Sequence, residues 1–415
     1  MKGRVRTDQA PNLGTPLPFF GAAQLFAVSG LLMLSLNART VVQGVLTGPV
    51  VVSMVHLFTL GTITMAMMGA LYQWLPVIGA GTTVPAWRAR LQFVLFTAGV
   101  LGFVPGVATG RTPLLVMGGV ALESGLVLFL YNIAAMGLLR HLRARDSALV
   151  AAGLAALAAT AILGGLMAWR LAAGTAIPNS WLAAHLVLGP GAFAGLVLAG
   201  VSYRLLPMFL PAPPHPSRSG WVLGFGSAAI VSGVLMPALP LVPIAVPLLS
   251  LTAAGVFYLL DVSRYWRQRR RRTPDGLLLL IGSSHLGLLA ALVTIVLAVA
   301  GARPLLPAAV AVSVLGWYLL AWLGFSQRIL PFIAWLHGMR GGRRDTPHVA
   351  ELWPSWLGWM TSVGALAGSV GVLIGFLIRV VWTLQAGSLL LAASIVLFHG
   401  GGWRMLARVH RRAHR

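Results

Sequence analysis

The chain contains no cysteine, and of its 415 residues only 7 are acidic and a single one, Lys2, is lysine. The first absence excludes disulfides, thiolate metal sites, iron–sulfur clusters and covalently attached c-type haem. A metal or haem would have to be held by His, Met or oxygen ligands. The shortage of charge is equally informative. Charged residues make up 9% of the chain and hydrophobic residues 58%, with a mean hydropathy of +0.87. No soluble chain of this length hides that much apolar surface, so the composition implies an all-α polytopic membrane protein in a lipid bilayer. The net charge of +23 does not indicate nucleic acid. The basic residues sit in short hydrophilic loops between apolar spans and form no domain of their own.

Apolar runs of spanning length fall at about 18–36, 46–74, 91–108, 113–138, 148–169, 181–208, 221–238, 241–262, 276–300, 305–334, 357–378 and 386–405. Each is long enough to cross roughly 30 Å of hydrocarbon at roughly 1.5 Å per residue, which predicts twelve transmembrane helices in one domain, 1–415. The N-terminal stretch with Lys2, Arg4 and Arg6 lacks a small-x-small cleavage site before the next spans, and reads as leading into a retained first helix. With the N-terminus inside, 25 of the 30 basic residues fall in inside segments; the outside ones are Arg39, Arg111, Arg170, Arg303 and Arg379. That bias predicts a multi-pass protein of the inner (cytoplasmic) membrane with both termini cytoplasmic. The run Trp266 to Arg272 reads as a solvated face toward anionic headgroups. The segment 338–353, with Asp345 and Glu351, is the longest linker and a candidate contact with another subunit.

One ending occurs three times: Gly69-x-x-Tyr72-x-x-Leu75-Pro76, Gly200-x-x-Tyr203-x-x-Leu206-Pro207 and Gly324-x-x-Gln327-x-x-Leu330-Pro331. The prolines stand 131 and 124 residues apart, four helices in each case. An even number of helices per repeat predicts three parallel four-helix repeats, about 18–140, 147–265 and 275–405, in a pseudo-threefold arrangement. Here the proline is expected to end the helix, and the glycine seven positions earlier to allow close helix approach.

Polar side chains at membrane depth are costly and mark interiors or cavities. Four histidines fall inside spans. His56 and His285 lie near mid-membrane, His185 toward the outside and His399 toward the cytoplasm. A bis-histidine haem needs two imidazoles at similar depth, which pairs His56 with His285; motif context pairs His56 with His185 instead. The alternative reading of each is a structural histidine bonded to a neighbouring helix. Glu123 is the one carboxylate deep in a span, a proton relay, a partner for a histidine, or a neutral acid bonded to Ser124. Met54, Met65, Met67 and Met68 cluster near His56 at helical spacing, which is more often packing than ligation.

The three parallel repeats, the segment HLFTLG-x(7)-GALYQWLP and the segment GVSYRLLPMF resemble subunit I of the haem-copper oxidase superfamily, in its shorter, divergent bacterial and archaeal forms. The resemblance implies a haem ligand at His56. It sets His185 either on a copper-ligand helix or in place of a haem-helix histidine pair. It also implies a role for Arg379, beyond the eleventh helix, in pairing haem propionates. An interfacial anchor formed with Trp382 explains Arg379 as well. This chain departs from the pattern: Ala309 and Ala311 stand where the tenth helix carries histidines, the seventh helix has none, and no lysine lies in a span. The resemblance therefore implies a relative without a copper site or high-spin haem, and no oxygen reductase. One b-type haem would be held by His56 and a second histidine, for electron transfer, for haem or gas sensing, or in support of other membrane subunits or an electron donor. The alternatives are a transporter or channel with Glu123 and the histidines on its path, or a structural subunit. Major-facilitator carriers are built from two halves rather than three repeats, and their loop motif after the second helix is replaced here by AGTTVPAWRAR.

Overall fold

Segments that are apolar around their whole circumference satisfy their main-chain groups internally only as helices, and every regular element described is helical. The computed structural model describes residues 11–45, 47–77, 81–213, 215–239, 241–270, 273–339 and 349–413. The expectations for Lys2, Arg4, Arg6, Arg271, Arg272 and most of the 338–353 linker, Asp345 included, lie outside them. The long helices are α1 (Leu17–Leu36), α2 (Pro49–Val77), α3 (Ala86–Thr109), α4 (Thr112–Ala135), α5 (Arg145–Ala172), α6 (Asn179–Phe209), α7 (Ser219–Leu235), α8 (Ala245–Gln268), α9 (Gly276–Val299), α10 (Arg303–Gly338), α11 (Ser355–Leu377) and α12 (Val381–Val409).

Eleven of these described helices are long and apolar enough to cross a membrane, which makes this a multi-pass membrane protein. The exception is α7, apolar but only 17 residues long. It stops just before Pro237, and α8 begins only after Pro243. Each proline in that stretch lacks the N–H that continuing the ladder requires.

The chain divides into two compact units, Met1–Val77 with Pro274–Gly287 and Val314–Arg415, and Ile78–Thr273 with Leu288–Ser313. In the first, α1 lies against α2 through small residues. A methyl group added to Gly61 would come within 2.8 Å of Phe26 Cβ, and one on Gly69 within 2.8 Å of Phe19 Cβ. Helix α12 joins α1 through Gln385 Nε2, which donates to Ser35 O at 3.2 Å. In the second unit α5 meets α6 at Gly153, Gly189 and Gly200. There α7 and α8 share a stack of Trp221, Phe225 and Phe257 rings, with centroids 5.6 to 6.2 Å apart.

Two tight hairpins, α3–α4 in one unit and α11–α12 in the other, follow a common pattern. Gly99, Gly102 and Gly106 of α3 face Leu122, Gly118 and Leu115 of α4; Gly368, Gly371 and Gly375 of α11 face Leu391, Gly387 and Leu384 of α12. Every one of these positions is displaced by 269 residues from its counterpart, as are Trp87 and Trp356, and Phe129 and Phe398. Small residues at such spacing let two main chains approach to van der Waals contact, the chief attraction available between helices in lipid.

Three helices share a second feature. A π-helical segment interrupts α2 at Leu57–Thr64, α6 at Val187–Phe193 and α10 at Val312–Leu319. Their first residues are 130 and 125 positions apart, close to the spacing of the motif prolines. Within the first, Thr62 and Thr64 hydroxyls donate to the carbonyls of Leu57 and Thr59, five residues back, at 3.1 and 2.8 Å. These three helices are also the most enclosed, with 61%, 61% and 72% of their apolar windows buried against 33–56% for the other spans.

The expectation that the motif proline ends the helix is corrected. Helix continues past Pro76 to Val77, past Pro207 to Phe209 and past Pro331 to Met339. A proline interior to a helix removes one N–H, the one that would bond the carbonyl four residues earlier, and neighbouring groups tolerate this in membrane helices.

The turns of the two hairpins differ at the left-handed position. Gly110 (φ 67°) joins α3 to α4, and Arg379 (φ 57°), the only described non-glycine with positive φ, holds its place between α11 and α12. The amide of Val380 donates to Gly375 O at 2.9 Å, so Arg379 takes the left-handed position of a Schellman turn, where glycine carries no Cβ penalty. Arg379→Gly is therefore expected to stabilise the protein by about 1 kcal/mol, read by denaturant unfolding in detergent. A loss of stability would instead assign the guanidinium an anionic partner.

Candidate functional site

The recurrent motif does its work one residue beyond the positions that define it. Each closing glycine meets the start of the preceding helix: Gly69 meets Pro16 O, Gly200 meets Asp146 O, and Gly324 meets Leu280 and Ile281. Four residues after that glycine stand Gln73, Arg204 and Arg328. Arg204 Nε lies 3.7 Å from Asp146 Oδ2, and Arg328 Nη2 lies 3.7 Å from Asp275 Oδ2. The same aspartates accept main-chain N–H groups at the starts of α5 and α9, from Ser147 and Leu278, both at 2.8 Å. Each carboxylate thus takes a main-chain N–H in the first turn of one helix and clamps the end of the next. In the first occurrence both members are replaced. Pro16 is the N-cap of α1, and the Gln73 amide is buried with neither its oxygen nor its nitrogen hydrogen-bonded.

The variable motif position also makes long-range contacts. Tyr203 OH donates to Asp261 Oδ2 at 3.0 Å. The same oxygen accepts from Ser217 Oγ at 3.2 Å and the Arg218 amide at 2.6 Å, and Arg218 Nη1 reaches Oδ1 at 3.2 Å. Asp261 is fully buried, and this fourfold satisfaction is what makes a buried carboxylate tolerable. In the third occurrence Gln327 Nε2 donates to Ser362 Oγ at 2.8 Å and Thr361 Oγ1 at 3.3 Å on α11. Tyr72 meets the Phe19 ring edge to face, with centroids 5.5 Å apart.

Neither clamp nor carboxylate network was part of the sequence reading. The signal for the clamps is there, an arginine following the Tyr/Gln position twice and an aspartate opening the preceding helix twice. Tyr203 with Asp261 has none, because 58 residues separate them.

The candidate histidines sit in different settings. His56, half-buried on α2, is the last residue before the π segment. Its Nδ1 lies 2.8 Å from Val52 O. A carbonyl can only accept, so Nδ1 carries the proton in this bond. His285 is buried on α9 in the same compact unit, beside Ser284, whose hydroxyl turns back to Ile281 O at 2.8 Å. His399 has both ring nitrogens engaged, Nδ1 with Gln24 Oε1 of α1 and Nε2 accepting from Trp403 Nε1 at 2.5 Å. That leaves His399 no coordinating lone pair. His185 lies on α6 in the other unit, two residues before its π segment, so His56 and His185 belong to different units.

Glu123, on α4, and His185, on α6, each lie beside α5. A methyl group on Gly164 of α5 would lie 3.1 Å from His185 Cε1, and one on Gly165 would lie 3.6 Å from Glu123 Oε1. Ser124, the neighbour considered as a partner for Glu123, donates instead to Val120 O at 2.7 Å. Arg379 is exposed at its turn, with Trp382 exposed beside it. Ala309 and Ala311 immediately precede the third π segment, and Met65 and Met68 are wholly buried in the packing of α2. Among the described residues no three His, Asp or Glu side chains gather as a metal site.

Restoring the missing clamp tests the equivalence of the three helix ends. Pro16→Asp combined with Gln73→Arg is expected to be more stable than the sum of the single changes by about 0.5–3 kcal/mol, measured as a double-mutant cycle in denaturant. Additivity within about 0.5 kcal/mol would show that the first end is built differently.

No protein-family model matches the sequence, and no curated protein matches it.

Proposed function

We propose that this protein is an inner-membrane relative of haem-copper oxidase subunit I that holds one b-type haem through His56 and lacks the copper and high-spin haem ligands. Its twelve apolar segments form three parallel four-helix repeats with both termini cytoplasmic. Support for the repeats comes from the common spacing of motif and π segment, the two salt-bridged helix ends and the shared register of the α3–α4 and α11–α12 hairpins. The orientation rests on the basic residues, 25 of 30 on one side.

The observation that carries the haem reading is the His56 ring. Its Nδ1–H is fixed on the Val52 carbonyl, which orients the imidazole and raises its basicity. His399, by contrast, has both ring nitrogens engaged. His285, buried in the same unit, is the proposed second ligand. One-electron exchange is the chemistry a bound haem would supply. The residues of this chain would orient the ligand, exclude water with the buried face of α2 and, with no open ligand position, leave oxygen unreduced. Electron transfer or sensing follows. A transporter is the competing reading, resting on Glu123 and His185 within the spans.

The purified protein from haem-replete cells is expected to show a reduced b-type spectrum that His56→Ala abolishes and His399→Ala retains. A colourless wild-type protein, or a spectrum unchanged by His56→Ala, overturns the assignment and leaves transport or scaffolding.

A further inference from the structure

Arginines gather at the end of the α3–α4 hairpin that leads into α5. Arg88 and Arg90 stand in the first turns of α3, Arg140 and Arg143 in the short connection after α4, and Arg145 opens α5. The Thr82 amide donates to Met136 O at 2.9 Å, which ties the chain entering α3 to the end of α4. Among the described residues none of these arginines forms an ion pair. The neighbouring carboxylate, Asp146, is already engaged by Arg204 at 3.7 Å and by the Ser147 amide at 2.8 Å. Like charges gathered without counter-ions repel one another, and an anion supplied from outside the chain relieves that repulsion.

Arg88 is the most firmly held of the group. Its guanidinium lies 5.2 Å from the centroid of the Tyr131 ring on α4 and 6.0 Å from that of Trp87. Its Nε is buried with no hydrogen-bond partner. Both rings are exposed, Trp87 at 65% and Tyr131 at 57%, and each stands at the end of an exposed apolar stripe. On α3 the stripe runs through Leu91, Val94 and Leu101; on α4 it runs back through Val127, Val120 and Met117. Intervals of three, four and seven residues keep each set on one helix face. From Trp87 to Leu101 is roughly 21 Å of helix, more than half of a hydrocarbon core of roughly 30 Å. Two apolar stripes headed by a cation between interfacial rings match the outline of a phospholipid, with acyl chains along the stripes and phosphate at the guanidinium.

Hairpin packing does not call for this cation. In the same register, 269 residues on, the α11–α12 hairpin keeps Trp356 for Trp87 but has Leu357 for Arg88, Trp359 for Arg90 and Gly400 for Tyr131. Leu357 is buried there. Matching small-residue contacts close both hairpins, so Arg88 and its second ring are additions to one of them.

We propose that this end of the α3–α4 hairpin binds one anionic phospholipid, with its phosphate at Arg88 and its acyl chains along the Trp87 and Tyr131 stripes. The headgroup is anionic rather than zwitterionic. A choline or ethanolamine cation would enter the field of Arg90, Arg140 and Arg143, all exposed at the same end, with no free carboxylate among the described residues there to meet it. The site is independent of any haem at His56.

Native mass spectrometry of the full-length protein in dodecyl maltoside with added dioleoyl phosphatidylglycerol tests this. The wild type is expected to hold one phosphatidylglycerol more tightly than any further ones. Arg88→Leu, which introduces the residue type found in the other hairpin, should weaken that first adduct about tenfold, as losing one charge-assisted contact would. Dioleoyl phosphatidylcholine should bind more weakly than phosphatidylglycerol by about the same factor. Free sn-glycerol 3-phosphate, which has no acyl chains, should not displace the lipid. Arg408→Leu, at an exposed arginine of α12, should bind as the wild type does. An unchanged first adduct in Arg88→Leu overturns the proposal, as does equal retention of phosphatidylcholine or displacement by sn-glycerol 3-phosphate. Should Arg88→Leu fail to fold, Arg140→Gln combined with Arg143→Gln decides alone: unchanged phosphatidylglycerol affinity there overturns it equally.

Discussion

Helices that meet inside lipid gain little from leaving it, since the tails are as apolar as the side chains, so their association depends on how closely main chains can approach. The glycines of this protein are placed to that end. In both hairpins the residue opposite a central glycine is another glycine, Gly102 with Gly118 and Gly371 with Gly387, and leucine flanks on either side close the remaining space. At the motif the glycine admits the first turn of the preceding helix. Twice the seam is then fixed by an arginine on an aspartate at the start of that preceding helix. Contacts of this kind tolerate almost no added volume, which makes register, rather than composition, the quantity the fold protects.

The π segments belong to the same economy. One wider turn in α2, α6 and α10 changes the angular relation between the residues before it and the clamp after it. In α2 the residue before it is His56 and in α6 His185 is one position further back, while in α10 the corresponding position holds alanine. Packing and chemistry are thus separable on one helix: the motif end recurs, and the residue ahead of the π turn is free to differ. π segments are often found at functional sites for this reason.

Much of this was legible in the sequence. The apolar runs located all the long helices, and the Gly–Tyr/Gln–Pro spacing located the helix ends at which α1, α5 and α9 are gripped. The hairpin repeat was legible but concealed. The motif recurs at 255 residues between Pro76 and Pro331, the glycine pattern at 269, and the difference of 14 is spent in the linker before α11. Three features were not legible. A π turn has no propensity signature. The proline at the motif stops a helix in water more readily than in a membrane bundle. The approach of Glu123 and His185 to α5 depends on a Gly164–Gly165 pair that looks like any other small-residue step. Arg379 shows a further limit, since its backbone conformation, and not its charge, is what the structure requires of it.

The central claim is that three helices, each with a π turn ahead of a glycine clamp, are built on one plan. Deleting one residue from each π segment in turn, at Thr62, Ala192 and Val314, tests it most directly by thermal unfolding in detergent. Each deletion removes the residue that the wide turn takes up, so that i→i+4 bonding replaces the π turn ahead of the clamp. The account predicts that all three variants still insert and that all three unfold at lower temperatures, by comparable amounts. A deletion that leaves the unfolding temperature unchanged at any one site would contradict it.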